Sequence, residues 1–435
     1  MPEGRLELLM PNLRDCSVND RAAACRRTPR ALIWMITALI GSVSISAEPA
    51  ANRDPIVVGP EAVRIHASAP VVDGHNDLPW ALRKAGGGFD AFDLRQRQSE
   101  LHTDIDRLRT GGVGAQFWSV YVPVSTSSQG SALTATLEQI EVVRSMTQQY
   151  DDAFELALST EDVKRIRDQG KIASLIGVEG GHSIENSINV LRQLYREGAR
   201  YMTLTHSMSL DWADSCSDDE VCGGLSAFGR EVVQEMNRLG MIVDISHVSP
   251  ECMRQTLQVS TAPVIFSHSS ARGIADHPRN VPDDVLRMTR DNGGVVMINF
   301  FPDFVHPVDA ARSMQRSEVK ASLKSKYPQD EEQAASDLRQ WELRNPRESV
   351  CTVHDVLDHI DHVVSVAGIE HVGLGSDFDG VPALPAQLED VSRYPVITQG
   401  LLDRGYSEEE IRKVLGENVM RVFEAVEDVA RRPRD

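Results

Sequence analysis

The sequence predicts an α/β fold of the (β/α)8 barrel class, the TIM barrel. Three observations carry that prediction. Eight short runs rich in apolar and β-branched residues recur along the chain. Segments with helical periodicity separate them. No GxGxxG follows the first run, as a dinucleotide-binding open sheet would require. Near-continuous apolar strands alternating with helices indicate a parallel sheet covered on both faces. Eight such units point to a closed barrel rather than an open doubly wound sheet.

The expected strands are 70–75 (PVVDGH), 115–122 (AQFWSVYV), 172–179 (IASLIGVE) and 201–206 (YMTLTH). They continue with 241–247 (MIVDISH), 263–268 (PVIFSH), 294–300 (GVVMINF) and 371–377 (HVGLGSD). Helices are expected near 131–150, 184–197, 225–239, 250–258, 282–290, 352–367 and 407–425. The stretch 302–350, with QDEEQAASDLRQWELR, breaks this rhythm. It is charged and rich in Gln, so it reads as a solvated helical insertion after the seventh strand, with a lid over the site as the alternative. The barrel is accordingly assigned to 61–427, with the insertion at about 302–350 and a polar tail at 428–435.

Ahead of the barrel, Arg26, Arg27 and Arg30 precede an apolar stretch, ALIWMITALIGSV, at 31–43. Small residues ending at Ala47 follow, then Glu48 and Pro49. That is the order of a secretory signal, and the stretch is short for a membrane span of roughly 20 residues. Residues 1–47 are therefore read as an N-terminal extension and signal peptide, and 48–60 as a linker. The protein is expected to be exported, periplasmic or secreted, touching a membrane only if the signal stays uncleaved.

Cys16 and Cys25 lie before that cleavage point, and Cys216, Cys222, Cys252 and Cys351 after it. An oxidising compartment permits disulfides, and the polar SDDEV segment between Cys216 and Cys222 suits a local bridge. CxxC spacing is missing, which argues against a thiolate zinc site. The formal charge of −19 repels nucleic acid and anionic lipid surfaces. No basic run is interleaved with aromatics, so no nucleic-acid partner is expected.

Chemistry gathers at the strand ends. The first strand ends in His75-Asn76-Asp77, the third at Glu179, the fourth at His206, the fifth at His247, the sixth at His268 and the eighth at Asp377. Each alone is an ordinary loop residue, and Glu179 alone could serve a helix N-terminus. Together they lie at one end of successive parallel strands, the face where barrel active sites assemble. Imidazoles and carboxylates suit Zn2+, and also Mn2+ or Co2+. Glu179 can bridge two cations, with His75 and Asp77 on one and His247 and His268 on the other. Water held between two such cations is acidic enough to be hydroxide near neutral pH, so no Ser or Cys nucleophile is needed. GxSxG and HExxH are both absent. His182, in a Gly-rich turn, and His354, His359 and His362, on an expected helix, are read as structural or exposed.

These motifs resemble the membrane dipeptidases, also called renal dipeptidases, over roughly residues 62–425. The match is carried by DGHNDLPW (73–80), GVEGGHSI (177–184), YMTLTHSMSLDWADS (201–215), GLSAFGREVVQEMNRLGMIVDISHVS (224–249), PVIFSHSSARGIADHPRNVPDDVL (263–286) and GLGSDFDG (373–380). The resemblance implies a barrel enzyme with two zinc ions per chain that hydrolyses the amide bond of dipeptides. It implies that His75 and Asp77 hold the first zinc, Glu179 bridges, and His247 and His268 hold the second. It implies that His206 contacts substrate and stabilises the tetrahedral intermediate. Arg279 would hold the free C-terminal carboxylate, and Asp377 would be the acid/base group for the leaving amine. Such enzymes also admit D-configured C-terminal residues and β-lactam-like dehydropeptides, and many form homodimers.

Three features depart from that pattern. Phe301 stands where mammalian relatives carry Tyr, so a hydroxyl contact to substrate is expected to be lost. The chain ends VARRPRD, so no GPI anchor is expected. The Cys216–Cys222 segment also differs, so the relatives' disulfides are not carried over. Two rival readings stay open. One is another two-metal barrel hydrolase: an amidase, lactonase or phosphotriesterase. The other is a binding protein that kept the barrel without turnover.

Overall fold

The computed structural model describes residues 53–432 except 87, 348 and 349. The signal expected at 1–47 lies outside the described residues, as do the start of the linker and the end of the tail. Among the described residues, no helix is long and apolar enough to cross a membrane.

Eight parallel strands close into a ring. They are β1 Val71–Asn76, β2 Val113–Tyr121, β3 Ile172–Glu179, β4 Ala199–Thr203, β5 Ile242–Asp244, β6 Ile265–Phe266, β7 Val295–Ile298 and β8 Val372–Leu374. Consecutive strands pair throughout, and Asp73 opposite Leu374 closes the ring between β1 and β8. Every residue of β1 and β3 is buried. Burial on both faces is why these strands read as continuous apolar runs rather than alternating ones.

A ninth strand, Phe154–Leu156, pairs with the first half of β3, and β4 takes over from Ile176 onward. The sequence reading missed it because three residues leave no periodicity to detect. Six short helices were missed as well: Pro60–Ser68, Leu78–Lys84, Ile105–Thr110, Ser125–Ser128, Thr160–Asp168 and Tyr394–Asp403. The last helix, Asn418–Arg431, runs on into the segment read as a polar tail. Its Val419 and Phe423 join one apolar cluster with Val72, Phe117, Tyr201 and Met297 of the strands.

Within 302–350, the helices Pro307–Lys326 and Glu331–Arg344 pack on each other. The expected bridge between Cys216 and Cys222 is not formed: all four described cysteines are free. Cys222 Sγ instead lies 3.3 Å from the Gly224 carbonyl, and Cys216 Sγ lies 3.5 Å from Ser217 Oγ.

Candidate active site

The strands stop sooner than the sequence suggested. β4 ends at Thr203, β5 at Asp244, β6 at Phe266 and β8 at Leu374, so His206, His247, His268 and Asp377 stand on the loops just beyond. The reason is local at two of them. His247 and Asp377 have φ of +67° and +66°, a left-handed conformation that no strand can hold. Such backbone is costly for a residue with a side chain and persists where the surroundings enforce it, often at functional sites. Here it turns both side chains into the mouth of the barrel.

Glu179 is the hub. Its Oε1 lies 3.2 Å from His247 Nε2, 3.6 Å from His268 Nε2 and 3.7 Å from His206 Nε2, and its Oε2 lies 3.5 Å from His75 Nε2. His75 Nε2 also lies 3.3 Å from Asp77 Oδ2. Three overlapping groups could hold a cation: His75, Glu179 and His268; Glu179, His206 and His247; and His75, Asp77 and Asp377. The fold thus gathers seven of the expected site residues from both ends of the sequence. His206 and Asp377, expected to act on substrate, also fall within ligand distance.

Hydrogen bonds behind the ring orient these donors. Ser267 Oγ donates to Asp244 Oδ2 at 2.7 Å and sits 2.8 Å from His268 Nδ1. Its one proton being spent on Asp244, it accepts from His268 Nδ1–H, which leaves the Nε2 lone pair facing Glu179. Tyr201 Oη does the same for His75, 2.9 Å from Nδ1 while donating to the Gly74 carbonyl at 3.2 Å. His75 Nε2 is then buried with no hydrogen-bond partner among the described residues. Ser119 Oγ donates to Glu179 Oε2 at 2.9 Å, and Asn299 Nδ2 donates to Asp377 Oδ2 at 2.8 Å.

The electrostatics ask for cations. Asp77, Glu179 and Asp377 are only 6%, 4% and 8% exposed, and buried carboxylates need compensating positive charge. Burial would raise the Glu179 carboxyl, but His75, His206 and His247 outweigh it and hold it well below the usual range. Burial, then Arg279 and neighbouring imidazoles, pushes His247 and His268 well below ordinary histidine, keeping them neutral. At His75 burial is outweighed by Tyr201, Glu179 and Asp77, which favour positive charge at its ring. A largely buried N/O donor set, an imidazole nitrogen orphaned among the described residues on each of His75 and His206, and excess negative charge together fit divalent metal ions.

The cavity over this ring has a volume of about 370 Å³ and includes Trp80, Tyr121, Phe301, Phe304 and Arg279 in its wall. Arg279 is 3% exposed. Its Nη1 donates to Ser269 Oγ at 3.1 Å and its Nη2 to the His268 carbonyl at 2.9 Å, while Nε is unpartnered among the described residues. A buried guanidinium with N–H groups to spare, next to this ring, can receive an anion.

The four histidines read as structural are outside the ring. His182 Nε2 bonds the Val122 carbonyl, His354 Nε2 the Asp54 carbonyl and His362 Nε2 the Asp283 carboxylate. His359 is buried between Ala271 and Val305. Sequence reasoning missed Tyr201, Ser119, Ser267, Asp244, Asn299 and Gly380. Those within strands are indistinguishable from packing residues until the barrel closes. Gly380 carried a signal, since it ends the SDFDG run after the eighth strand. A Cβ there would come within 2.2 Å of Asp77 Oδ2 and 2.5 Å of Asp377 Oδ1.

Residues 60–435 match the membrane dipeptidase family, peptidase family M19. The chain is 40% identical over 389 residues to Dipeptidase verJ of Clonostachys rogersoniana, covering 86% of this chain and 89% of that one. Among solved structures it is similar to the probable dipeptidase PvdM from Pseudomonas aeruginosa, with TM-score 0.73 and 23% identity over 85% of this chain and 98% of that chain. It is also similar to a metallo peptidase from Rhodobacter sphaeroides liganded with a phosphinate mimic of the dipeptide L-Ala-D-Ala, with TM-score 0.67 and 23% identity over 82% of this chain and 99% of that chain. At these identities the structural likenesses speak for the fold.

Proposed function

The chain belongs to the membrane dipeptidase family and is a metallodipeptidase; from that premise we propose that it carries two Zn2+ per chain and cleaves dipeptides with a free C-terminal carboxylate. The carrying observation is the placement of buried Arg279 beside the Glu179-centred ring in one cavity. His75 and Asp77 would hold one ion, His247 and His268 the other, with Glu179 shared. When bound, the ions polarise the scissile carbonyl and lower the pKa of water.

The chain's own groups do the rest. Arg279 offers its fork to the substrate carboxylate, which fixes the register of the amide over the ring. His206 is half-buried against the rings of Tyr121 and His247, 4.9 and 4.4 Å away centre to centre. From there it donates to the oxygen that gains charge. Asp377 is pushed up to about 7 by burial and by Asp77 and Glu179, against the opposing pull of His75 and Asn299. With Oδ2 occupied by Asn299, Oδ1 is the atom that carries the proton to the departing amine. The apolar stretch at 31–43 further supports export to the periplasm or beyond, and cell fractionation tests that point.

The test is hydrolysis of dipeptides with free and amidated C-termini, with and without a chelator, alongside metal analysis. Turnover that requires metal, with about two zinc per chain, and a free carboxylate is the expected result. Metal-dependent turnover indifferent to amidation overturns the role of Arg279. Full activity with one ion per chain overturns the two-metal site.

A further inference from the structure

A second cavity, of about 500 Å³, adjoins the first and shares Arg279, Phe301 and Phe304 with it. Its far wall comes from the insertion helix Pro307–Lys326 and from Arg347 just past the insertion's second helix. Four arginines line it, Arg279, Arg312, Arg316 and Arg347, against two carboxylates, Asp303 and Glu342. In a chain of formal charge −19 this is a local reversal of sign.

Its centre is a stack of four groups. Arg279 Cζ lies 5.2 Å from the ring centre of Phe304, Phe304 meets Phe301 edge to face at 5.1 Å, and Arg347 Cζ lies 5.5 Å from the ring of Phe301. Arg347 is anchored to Asp303, with its Nε 3.3 Å from Asp309 Oδ1. Its Nη1 is nonetheless buried without a hydrogen-bond partner among the described residues. A buried, unpaired N–H costs free energy unless a ligand supplies an acceptor. Phe301 has no hydroxyl to offer a ligand at this point, so the polar contact on this wall falls to Arg347.

We propose that this annex receives the side chain of the substrate's C-terminal residue, and that Arg347 selects for an acidic one, as in dipeptides ending in Asp or Glu. The inference rests on the dipeptidase reading above. If Arg279 holds the terminal carboxylate, the side chain of that same residue leaves from the neighbouring carbon. The cavity that shares Arg279 is then within its reach. A carboxylate meeting a guanidinium already stacked on an aromatic ring gains charge-assisted hydrogen bonds in a partly dehydrated site. An amide of the same shape gains much less.

The experiment compares kcat/KM for Ala-Glu, Ala-Gln and Ala-Ala, with both configurations of the second residue, on the zinc-loaded full chain. Ala-Glu is expected to exceed Ala-Gln by about tenfold or more, mainly through KM. Arg347→Gln should shrink that ratio to near one, and Arg347→Lys should restore part of it. Because Arg347 also ties Asp303 and Asp309, the wild-type ratio is decisive without any variant. Arg316→Gln, which leaves that tie intact, should shrink the ratio by a smaller factor. Calorimetry with the products gives the same comparison without turnover, glutamate binding more tightly than glutamine. A wild-type ratio near or below one, with Ala-Gln turned over well, overturns the annex and leaves the dipeptidase standing. A ratio that survives Arg347→Gln overturns the role of Arg347. Failure to cleave any of the three overturns the dipeptidase reading and the annex with it.

Discussion

Tyr201 Oη lies 2.9 Å from His75 Nδ1, so a tyrosine rising through the barrel interior sets the orientation of an imidazole at the mouth. Its ring fills the space where Gly177 lacks a side chain: a Cβ there would come within 2.0 Å of Tyr201. The hydroxyl holds the Nδ1–H tautomer and leaves Nε2 for a cation. Removing a hydrogen bond behind a metal-binding histidine typically costs 10–100-fold in metal affinity. Tyr201→Phe keeps the ring and should weaken binding by about that factor, measured by competition with a zinc chelator. Affinity unchanged within twofold would show that the hydroxyl only fills space.

Gly380 tests the close approach of two carboxylates. Its φ is ordinary, so Gly380→Ala acts by contact alone, pushing a methyl against Asp77 Oδ2 and Asp377 Oδ1. We expect loss of about half the bound metal and a fall in kcat/KM of about 100-fold or more, with a melting temperature close to wild type. Metal analysis reads the first effect directly. Full metal content with full activity would mean that the loop shifts without cost.

Asp377→Asn keeps the size of the side chain and removes its capacity to carry a proton. General acid–base groups contribute typically 10²–10⁴-fold. A fall in kcat of that order with little change in KM is the expected split. A variant that instead loses metal would mark Asp377 as a ligand, consistent with its distance to His75 and Asp77.

His359 makes a pH prediction away from the site. Its Nδ1 accepts from the Ala271 backbone N–H at 2.9 Å, so its Nε2–H donates to the Val305 carbonyl at 3.0 Å. Protonation would break the first bond, and burial, only partly offset by the Val305 bond, lowers the ring's pKa to about 4. A depressed pKa contributes stability above the unfolded value of about 6.5 that is lost as pH falls toward 4. This one group should therefore cost about 2 kcal/mol between pH 7 and pH 5. Denaturant midpoints at the two pH values should converge in His359→Gln relative to wild type. Equal pH slopes in both proteins would rule the account out.

Much was legible in residue order. Near-continuous apolar runs separated by helical periods are enough for a parallel barrel, because only strands buried on both faces need such runs. The candidate site residues were legible too, since parallel strands must release their ends on one face, so His75, Glu179, His206, His247, His268 and Asp377 were bound to meet there. What residue order could not show is everything set by contacts across the ring. Positive φ at His247 and Asp377 keeps both residues out of the strands to which composition alone would have assigned them. Cys216 and Cys222 suited a bridge by spacing, yet their thiols face a hydroxyl and a carbonyl instead. Tyr201, Ser267 and Asn299 read as core until closure places their polar atoms behind His75, His268 and Asp377. The insertion read as a solvated excursion, and only packing brings Arg312, Arg316 and Arg347 to the wall beside Arg279. Periodicity reports which face of an element is buried; it holds no information about what that face touches, and the chemistry of this site is made of those contacts.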